Sequence, residues 1–249
     1  MSLALVHSRA RAGVAAPPVR VEVHLSGGLP MIHIVGLPEA AVRESRDRVR
    51  AAILCAQFEF PQRRITVNLA PADLPKDGGR FDLPIALGIL AASGQIRGSA
   101  LNEYEFAGEL SLSGELRPIR GALAMVLAAG DNGRRFVLPT ASAQEAALAS
   151  RASKASVFTA KSLLEVCAHL NGQGDLAECL PTPPDTTDTI NAPDLIDVRG
   201  PTQAKRALEI AAAGAHSLLF AGPPGTGKSM LASRLAGLLP PMTNDAALE

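Results

Sequence analysis

The sequence predicts an α/β (α+β) protein made of two units joined by a linker. Three observations carry this reading: strand-like and helix-like patterns interleave along the first two-thirds of the chain, a stretch rich in Pro, Gly, Asp and Thr interrupts them at 172–193, and an apolar strand-loop-helix order resumes beyond it. A length of 249 residues fits one to two domains at about 150 residues each. The apolar fraction of 47% supplies a core and excludes wholesale disorder. Aromatics make up 3%, with no Trp, so the core is aliphatic and base stacking on aromatic platforms is disfavoured.

In chain order, 19–35 alternates through Val19, Val21, Val23 and Leu25, turns at Ser26, Gly27 and Gly28, and continues through Met31, Ile32 and Ile34, which predicts a β-hairpin. Pro38 opens a helical stretch to about Phe58, with Ala41, Val42, Val49, Ile53 and Leu54 as its apolar stripe. A strand follows at 65–69. Gly78 and Gly79 break the chain before Asp82, a candidate N-cap with Pro84 in the first turn, and the helix it starts closes at Gly94. Strands are expected at 104–110, 115–118, 135–138 and 156–158, with a turn at Ser113 and Gly114, and helices at 119–130, 142–150 and 161–170. The first unit is thus 1–171, the linker 172–193 and the second unit 194–249, with a helix at 202–213 closed by Gly214, a strand at 217–221 and a helix at 228–239. The 56 residues of the second unit are too few for a complete nucleotide-binding α/β domain.

Lys plus Arg and Asp plus Glu number 24 each, so the chain is no polycation; residues 1–171 carry a net +4 and the rest −4, which places any basic surface on the first unit. Cys55, Cys167 and Cys179 are far apart and form no CxxC pair; they read as small core residues in a reducing compartment. The first 13 residues lack the apolar core of a signal peptide, and the longest apolar run, 121–130, is about half of a bilayer span. A soluble, cytoplasmic chain without membrane contact is expected.

The strongest motif is Gly222, Pro223, Pro224, Gly225, Thr226, Gly227, Lys228 and Ser229, which matches G-x-x-x-x-G-K-[ST] at every fixed position. Glycines let the backbone turn tightly with its N–H groups inward, where they cradle phosphate oxygens, and the following helix directs its positive end at the same charge. Lys228 is placed to reach the β and γ phosphates and the Ser229 hydroxyl to ligate magnesium, so ATP and Mg²⁺ are the expected cofactors. The strand of Leu218, Leu219 and Phe220 before the loop, and Met230, Leu231, Leu235 and Leu238 after it, supply the required order. Hydrolysis needs an acidic residue at the end of a second apolar strand, and the only acids after Ser229 are Asp245 and Glu249. No catalytic residue is assigned, and turnover by this chain is not expected.

Beyond that loop, Asp197, Val198, Arg199 and Gly200, followed by 204–214, resemble the entry to a magnesium-chelatase-like AAA+ module. Upstream, Gly36-Leu37-Pro38-Glu39-Ala40-Ala41-Val42-Arg43-Glu44-Ser45-Arg46 and Pro71-Ala72-Asp73-Leu74-Pro75-Lys76-Asp77-Gly78-Gly79-Arg80-Phe81-Asp82 resemble the bacterial YifB/ComM-type proteins. The resemblance covers essentially the whole chain. It implies a first domain shaped like the Lon protease C-terminal domain (ribosomal S5 domain 2-like), followed by the truncated start of a P-loop AAA+ domain, and it implies that Val198 and Gly200 lie against adenine. It also implies that the full-length protein is a homo-hexameric ATPase acting on DNA, driving branch migration during natural transformation. A non-motor scaffold, a magnesium chelatase subunit and a Lon-like ATP-dependent protease are the alternatives.

The protease alternative is disfavoured on the residues themselves. A Lon-type peptidase places its serine just after a Pro-Lys-Asp-Gly turn; Pro75, Lys76, Asp77 and Gly78 are present, but Arg80 occupies the serine position, and the expected lysine falls near Leu123. The remaining loop of Lys76, Asp77 and Arg80 is open to three readings: contact with DNA phosphate, packing against a neighbouring subunit, or capping of the helix at Asp82. Arg43, Arg46 and Arg50 share a helical face that fits either a phosphate backbone or a surface self-paired through Glu39–Arg43, Arg43–Asp47 and Glu44–Arg48. His24 and His33, on the arms of the expected hairpin, have no acidic or thiol partner to complete a metal site.

Overall fold

The computed structural model describes residues 3–13, 15–130, 133–149, 155–180, 193–200 and 202–240. Two compact units emerge, Met1–Thr182 and Pro183–Glu249. The first contains β1 (Leu3–Arg9), β2 (Pro18–Ser26), β3 (Met31–Val35), α1 (Ala40–Arg43), α2 (Ser45–Cys55), β4 (Arg64–Ala70), α3 (Asp82–Ala92), β5 (Tyr104–Phe106), β6 (Glu109–Leu110), β7 (Leu116–Arg117), α4 (Ala122–Ala129), β8 (Arg135–Pro139), α5 (Ala143–Ala149), β9 (Val157–Ala160), α6 (Leu163–Leu170) and β10 (Ala177–Glu178). Eight strands form one mixed sheet in the order β10-β9-β8-β5-β1-β2-β4-β3, and β6 and β7 form a separate hairpin. Parallel pairing joins β1 to β5, β5 to β8, β8 to β9 and β3 to β4.

The expected hairpin at 19–35 does not form. β4 lies between the two strands, antiparallel to β2 and parallel to β3. Ile65 and Val67 of β4 stand beside Leu25 and Val23 on one side and beside Ile32 and Ile34 on the other, so the alternation that suggested two paired strands fits this three-stranded arrangement equally well. His24 and His33 each sit opposite Thr66, two strand spacings or about 10 Å apart, and no group of three metal-ligating side chains occurs among the described residues.

β2 buries Val19, Val21, Val23 and Leu25 while Pro18, Arg20 and His24 stay exposed, the alternation of a sheet covered on one face. The cover is α3, whose residues Asp82–Leu90 are all buried. A helix that is apolar all round packs on more than one side. Gly88 permits the close approach to the sheet, since a Cβ there would come within 2.5 Å of Val23 Cγ2. The other half of the sheet is covered on its second face as well, where Met125, Val126 and Ala129 of α4 and Ala146 and Ala149 of α5 meet Phe136 and Leu138 of β8. Arg9 and Glu105 bond within this core: Arg9 Nε and Nη2 donate to the Glu105 carboxylate at 2.5 and 3.2 Å, and Nη1 donates to Ala16 O at 2.8 Å.

Four further expectations change. The sheet continues past residue 171 into the stretch read as a linker, because β10 pairs antiparallel with β9 and Leu176 is buried; residues 181–192 lie outside the described residues. The helix expected over 38–58 breaks into α1 and α2 at Glu44. Asp82 is the first helical residue rather than a cap, its carboxylate being engaged elsewhere. Of the cysteines, Cys167 is buried and Cys179 half-buried, but Cys55 is exposed at the end of α2.

In the second unit α7 (Thr202–Ala213) has the predicted bounds, with Leu208, Ala211 and Ala212 buried and the Gly214 N–H donating to Ile210 O. The helix expected at 228–239 is split into α8 (Lys228–Ala232) and α9 (Leu235–Leu238). Ser233 Oγ and Arg234 Nη1 both donate to the Met230 carbonyl, at 2.9 and 2.8 Å, and so compete for an acceptor the helical ladder would use. Residues 217–221 form no strand and pair with none among the described residues, and Leu219 is 89% exposed.

Candidate phosphate-binding site

Pro223 and Pro224 carry no N–H, so the donors of the Gly222-to-Ser229 loop begin again at Gly225. Gly225 and Gly227 hold φ of +85° and +80°, a region that strains other residues, and α8 starts directly from Gly227 as its N-cap. A Cβ at Gly225 would meet nothing within 4 Å, so the requirement there is conformational. The Lys228 ammonium folds back over the loop, donating to Gly222 O at 3.0 Å, Pro223 O at 2.7 Å and Thr226 Oγ1 at 3.3 Å; Thr226 Oγ1 in turn donates to Pro223 O at 3.0 Å. Ser229 is the second residue of α8 and exposed. The donor set suits a phosphate: one ammonium, a run of backbone N–H groups and a hydroxyl, all on the surface of the unit. Because α8 has five residues, the helix end adds less than the sequence suggested, and Lys228 with the loop amides dominates.

Gly200 holds φ of +117° in the turn before α7, with open space where a side chain would be. Val198 is 1% exposed and packs with Leu195, Leu208 and Leu231, so its side chain is core material of this unit.

The Pro75-to-Arg80 loop of the first unit turns most of its polar groups inward. Lys76 is fully buried, donates to Pro71 O, and its carbonyl accepts the Glu39 N–H at 3.1 Å; burial lowers its pKa. It therefore does not present itself to a surface phosphate. Asp77 Oδ2 accepts Arg11 Nη2 at 3.0 Å, and Asp77 Oδ1 forms an ion pair with Arg80 Nη2 at 3.3 Å. Arg80 is 5% exposed. Leu123, where the peptidase lysine would fall, lies in α4, its N–H donating to Glu145 Oε1 at 3.1 Å.

Asp82 is fully buried and accepts Arg48 Nε at 2.7 Å, Arg48 Nη2 at 3.1 Å and the Leu110 N–H at 3.2 Å. None of the three helical pairs expected around Arg43 and Arg48 is among the ion pairs of the described residues; Arg48 reaches the core carboxylate, Arg46 meets Asp47, and Arg50 lies over the Phe60 ring. Desolvation pushes Asp82 up from 3.8 to about 6, against the pull of Arg48. A folded-state pKa above the unfolded one means the folded protein holds the proton more tightly between those values, so stability from this group is greatest below 3.8 and falls as pH rises to about 6. Carboxyl ¹³C titration is expected to give Asp82 a midpoint near 6. The stability of Asp82→Asn relative to wild type is expected to rise as pH rises from 4 to 7 in denaturant unfolding, whatever its offset from losing the Arg48 pair.

The family described as "Subunit ChlI of Mg-chelatase" matches residues 21–142, and that described as "Magnesium chelatase, subunit ChlI" matches residues 194–249. The chain is 53% identical over 249 residues to the protein YifB of Salmonella typhimurium and 54% identical over 252 residues to competence protein ComM of Haemophilus influenzae. Identity to YifB of Escherichia coli is 51%. Each match covers all of this chain and 48% or 49% of the relative, so the chain spans about half the length of the curated relatives it matches.

Proposed function

The chain belongs to the YifB/ComM-type family of magnesium-chelatase-like proteins, and from that premise we propose that its second unit binds ATP with Mg²⁺ at Gly222, Pro223, Pro224, Gly225, Thr226, Gly227, Lys228 and Ser229. The observation that carries the proposal is the loop itself, with left-handed glycines at Gly225 and Gly227 and the Lys228 ammonium already over it. Lys228 would exchange its carbonyl partners for the β- and γ-phosphate oxygens, the amides from Gly225 onward would hold phosphate, and Ser229 Oγ would hold the magnesium, which would supply charge neutralisation. Gly200 offers bare backbone to an adenine, and Val198 supports that turn from the core.

For the whole protein the proposal is an AAA+ ATPase that acts on DNA as a homo-hexamer in the cytoplasm. Its support is the likeness to a relative named competence protein ComM. The first unit is read as a Lon-like scaffold without a peptidase dyad, since Arg80 stands where the serine would be. A serine-directed fluorophosphonate is expected to leave the chain unlabelled, and peptide substrates uncut; stoichiometric labelling would overturn this reading. Magnesium chelatase activity is the second reading, favoured by the descriptions of both matching families. Side-by-side ATPase, branched-DNA mobility-shift and porphyrin metallation assays on the full-length protein separate the two. The proposal expects DNA-stimulated hydrolysis and no metallation; metallation without DNA binding would reverse it.

A further inference from the structure

A cleft rich in arginine lies in the first unit, beside the turn where a Lon-type nucleophile would fall. A cleft of about 310 Å³ is lined by Arg11, Asp77, Gly78, Gly79, Arg80, Glu109 and the 118–120 segment ending at Arg120. This is within the size range of small-ligand pockets, about 300 Å³ and upward. Three guanidinium groups face two carboxylates here, and Arg117 stands 3.6 Å from Glu109 at its edge, so the cleft is cationic on balance.

The arginine that floors it is the unusual member. The Arg80 side chain is 5% exposed, Nε donates to Asp77 O at 3.2 Å, Nη2 lies 3.3 Å from Asp77 Oδ1 as an ion pair, and both Nη1 and Asp77 Oδ1 are buried with no hydrogen-bond partner. A buried guanidinium N–H left without an acceptor costs more than any surface charge pair returns. The loop geometry holds it there: Gly78 has φ of +69°, and a Cβ at Gly79 would come within 2.5 Å of Glu109, so neither position admits a side chain that would fill the cleft.

We infer that this cleft binds a phosphate group, with Arg11 and Arg120 as donors at the rim and the buried Arg80 guanidinium charge beneath them. A tetrahedral oxyanion presents its acceptors in more directions than a planar carboxylate and carries more charge, which suits guanidinium groups converging from different sides. The group is either a free phosphate or one phosphate of a nucleic-acid backbone; the chemistry is shared and the sources are separable.

The test uses the 249-residue chain carrying Lys228→Ala, so that the other loop does not compete for phosphate, and follows the amide resonances of Gly78 and Gly79. Inorganic phosphate is expected to shift both saturably with a Kd of millimolar order or tighter, acetate at equal ionic strength to do so at least about tenfold more weakly, and Arg11→Gln with Arg120→Gln to weaken phosphate by about tenfold. Both substituted residues are partly or fully exposed, so the fold is retained. A short single-stranded oligonucleotide binding tighter than phosphate assigns the backbone source; binding no tighter assigns the free ion. Absence of saturable shifts with either probe, equal response to acetate, or shifts unchanged in the double variant overturns the inference.

Discussion

Replacing Lys228 with alanine is expected to weaken ATP binding about 100-fold while changing stability by less than about 1 kcal/mol. The ammonium loses charge-assisted bonds to two phosphates, each worth roughly 1.5–3 kcal/mol, offset in part by the bonds to Gly222 O, Pro223 O and Thr226 Oγ1 that it makes without ligand. A net of about 3 kcal/mol is two orders of magnitude in Kd. Those internal bonds lie on an exposed loop, where water replaces them readily, so the fold is indifferent to the change. Calorimetric titration with Mg-ATP checks the affinity, and denaturant unfolding checks the stability. An affinity within threefold of wild type would remove Lys228 from the site.

Arg9→Ala is expected to be the most costly single change to the fold, at about 3–5 kcal/mol, because it leaves the Glu105 carboxylate buried without its main partner. Arg9 and Glu105 side chains are 3% and 1% exposed, and Arg134 remains 3.8 Å away, too far to replace a bidentate bond. The pair sits where β1 is antiparallel to β2 on one side and parallel to β5 on the other, beside the His7–Glu105 register point joining β1 to β5. Its loss therefore weakens the junction between two otherwise well-packed halves. Arg9→Met combined with Glu105→Leu is expected to recover most of the stability, since an apolar pair of similar volume removes both desolvation costs. Denaturant unfolding of the three variants measures this; a cost below about 1 kcal/mol for Arg9→Ala would show that the junction is held by packing alone.

Local pattern in the sequence foretold the elements it can foretell. The helix expected at 202–213 and closed by Gly214 matches α7 at its bounds, and the strand expected at 65–69 matches β4 within a residue at each end. What alternation does not encode is which strand stands next to which. Val23 and Ile34 face the same way whether their strands pair directly or flank Val67, so the hairpin and the observed order were indistinguishable from period alone. The 217–221 segment has the composition of a buried parallel strand, but a strand exists only with a neighbour, and among the described residues it has none.

The candidate sites divide along the same line. Gly222 to Ser229 was legible because its chemistry depends on contiguous residues, and the positive φ at Gly225 and Gly227 follows directly from their being glycine. Arg11, Arg80 and Arg120 were not legible as a group, because the chain brings them together from positions far apart in sequence. Arg48 was misread for the related reason that a carboxylate four residues away in sequence is a weaker attractor than Asp82, desolvated in the core.

The central claim is that the loop from Gly222 to Ser229 grips a nucleotide through its amides, Lys228 and Ser229. A crystal structure of the full-length protein with Mg²⁺ and a non-hydrolysable ATP analogue tests it most directly. The β-phosphate is expected within hydrogen-bonding distance of the Gly225-to-Lys228 amides, with Lys228 Nζ moved from Pro223 O to the β- and γ-phosphates and the metal on Ser229 Oγ. Nucleotide bound elsewhere, with Lys228 still on the Gly222 and Pro223 carbonyls, would contradict it.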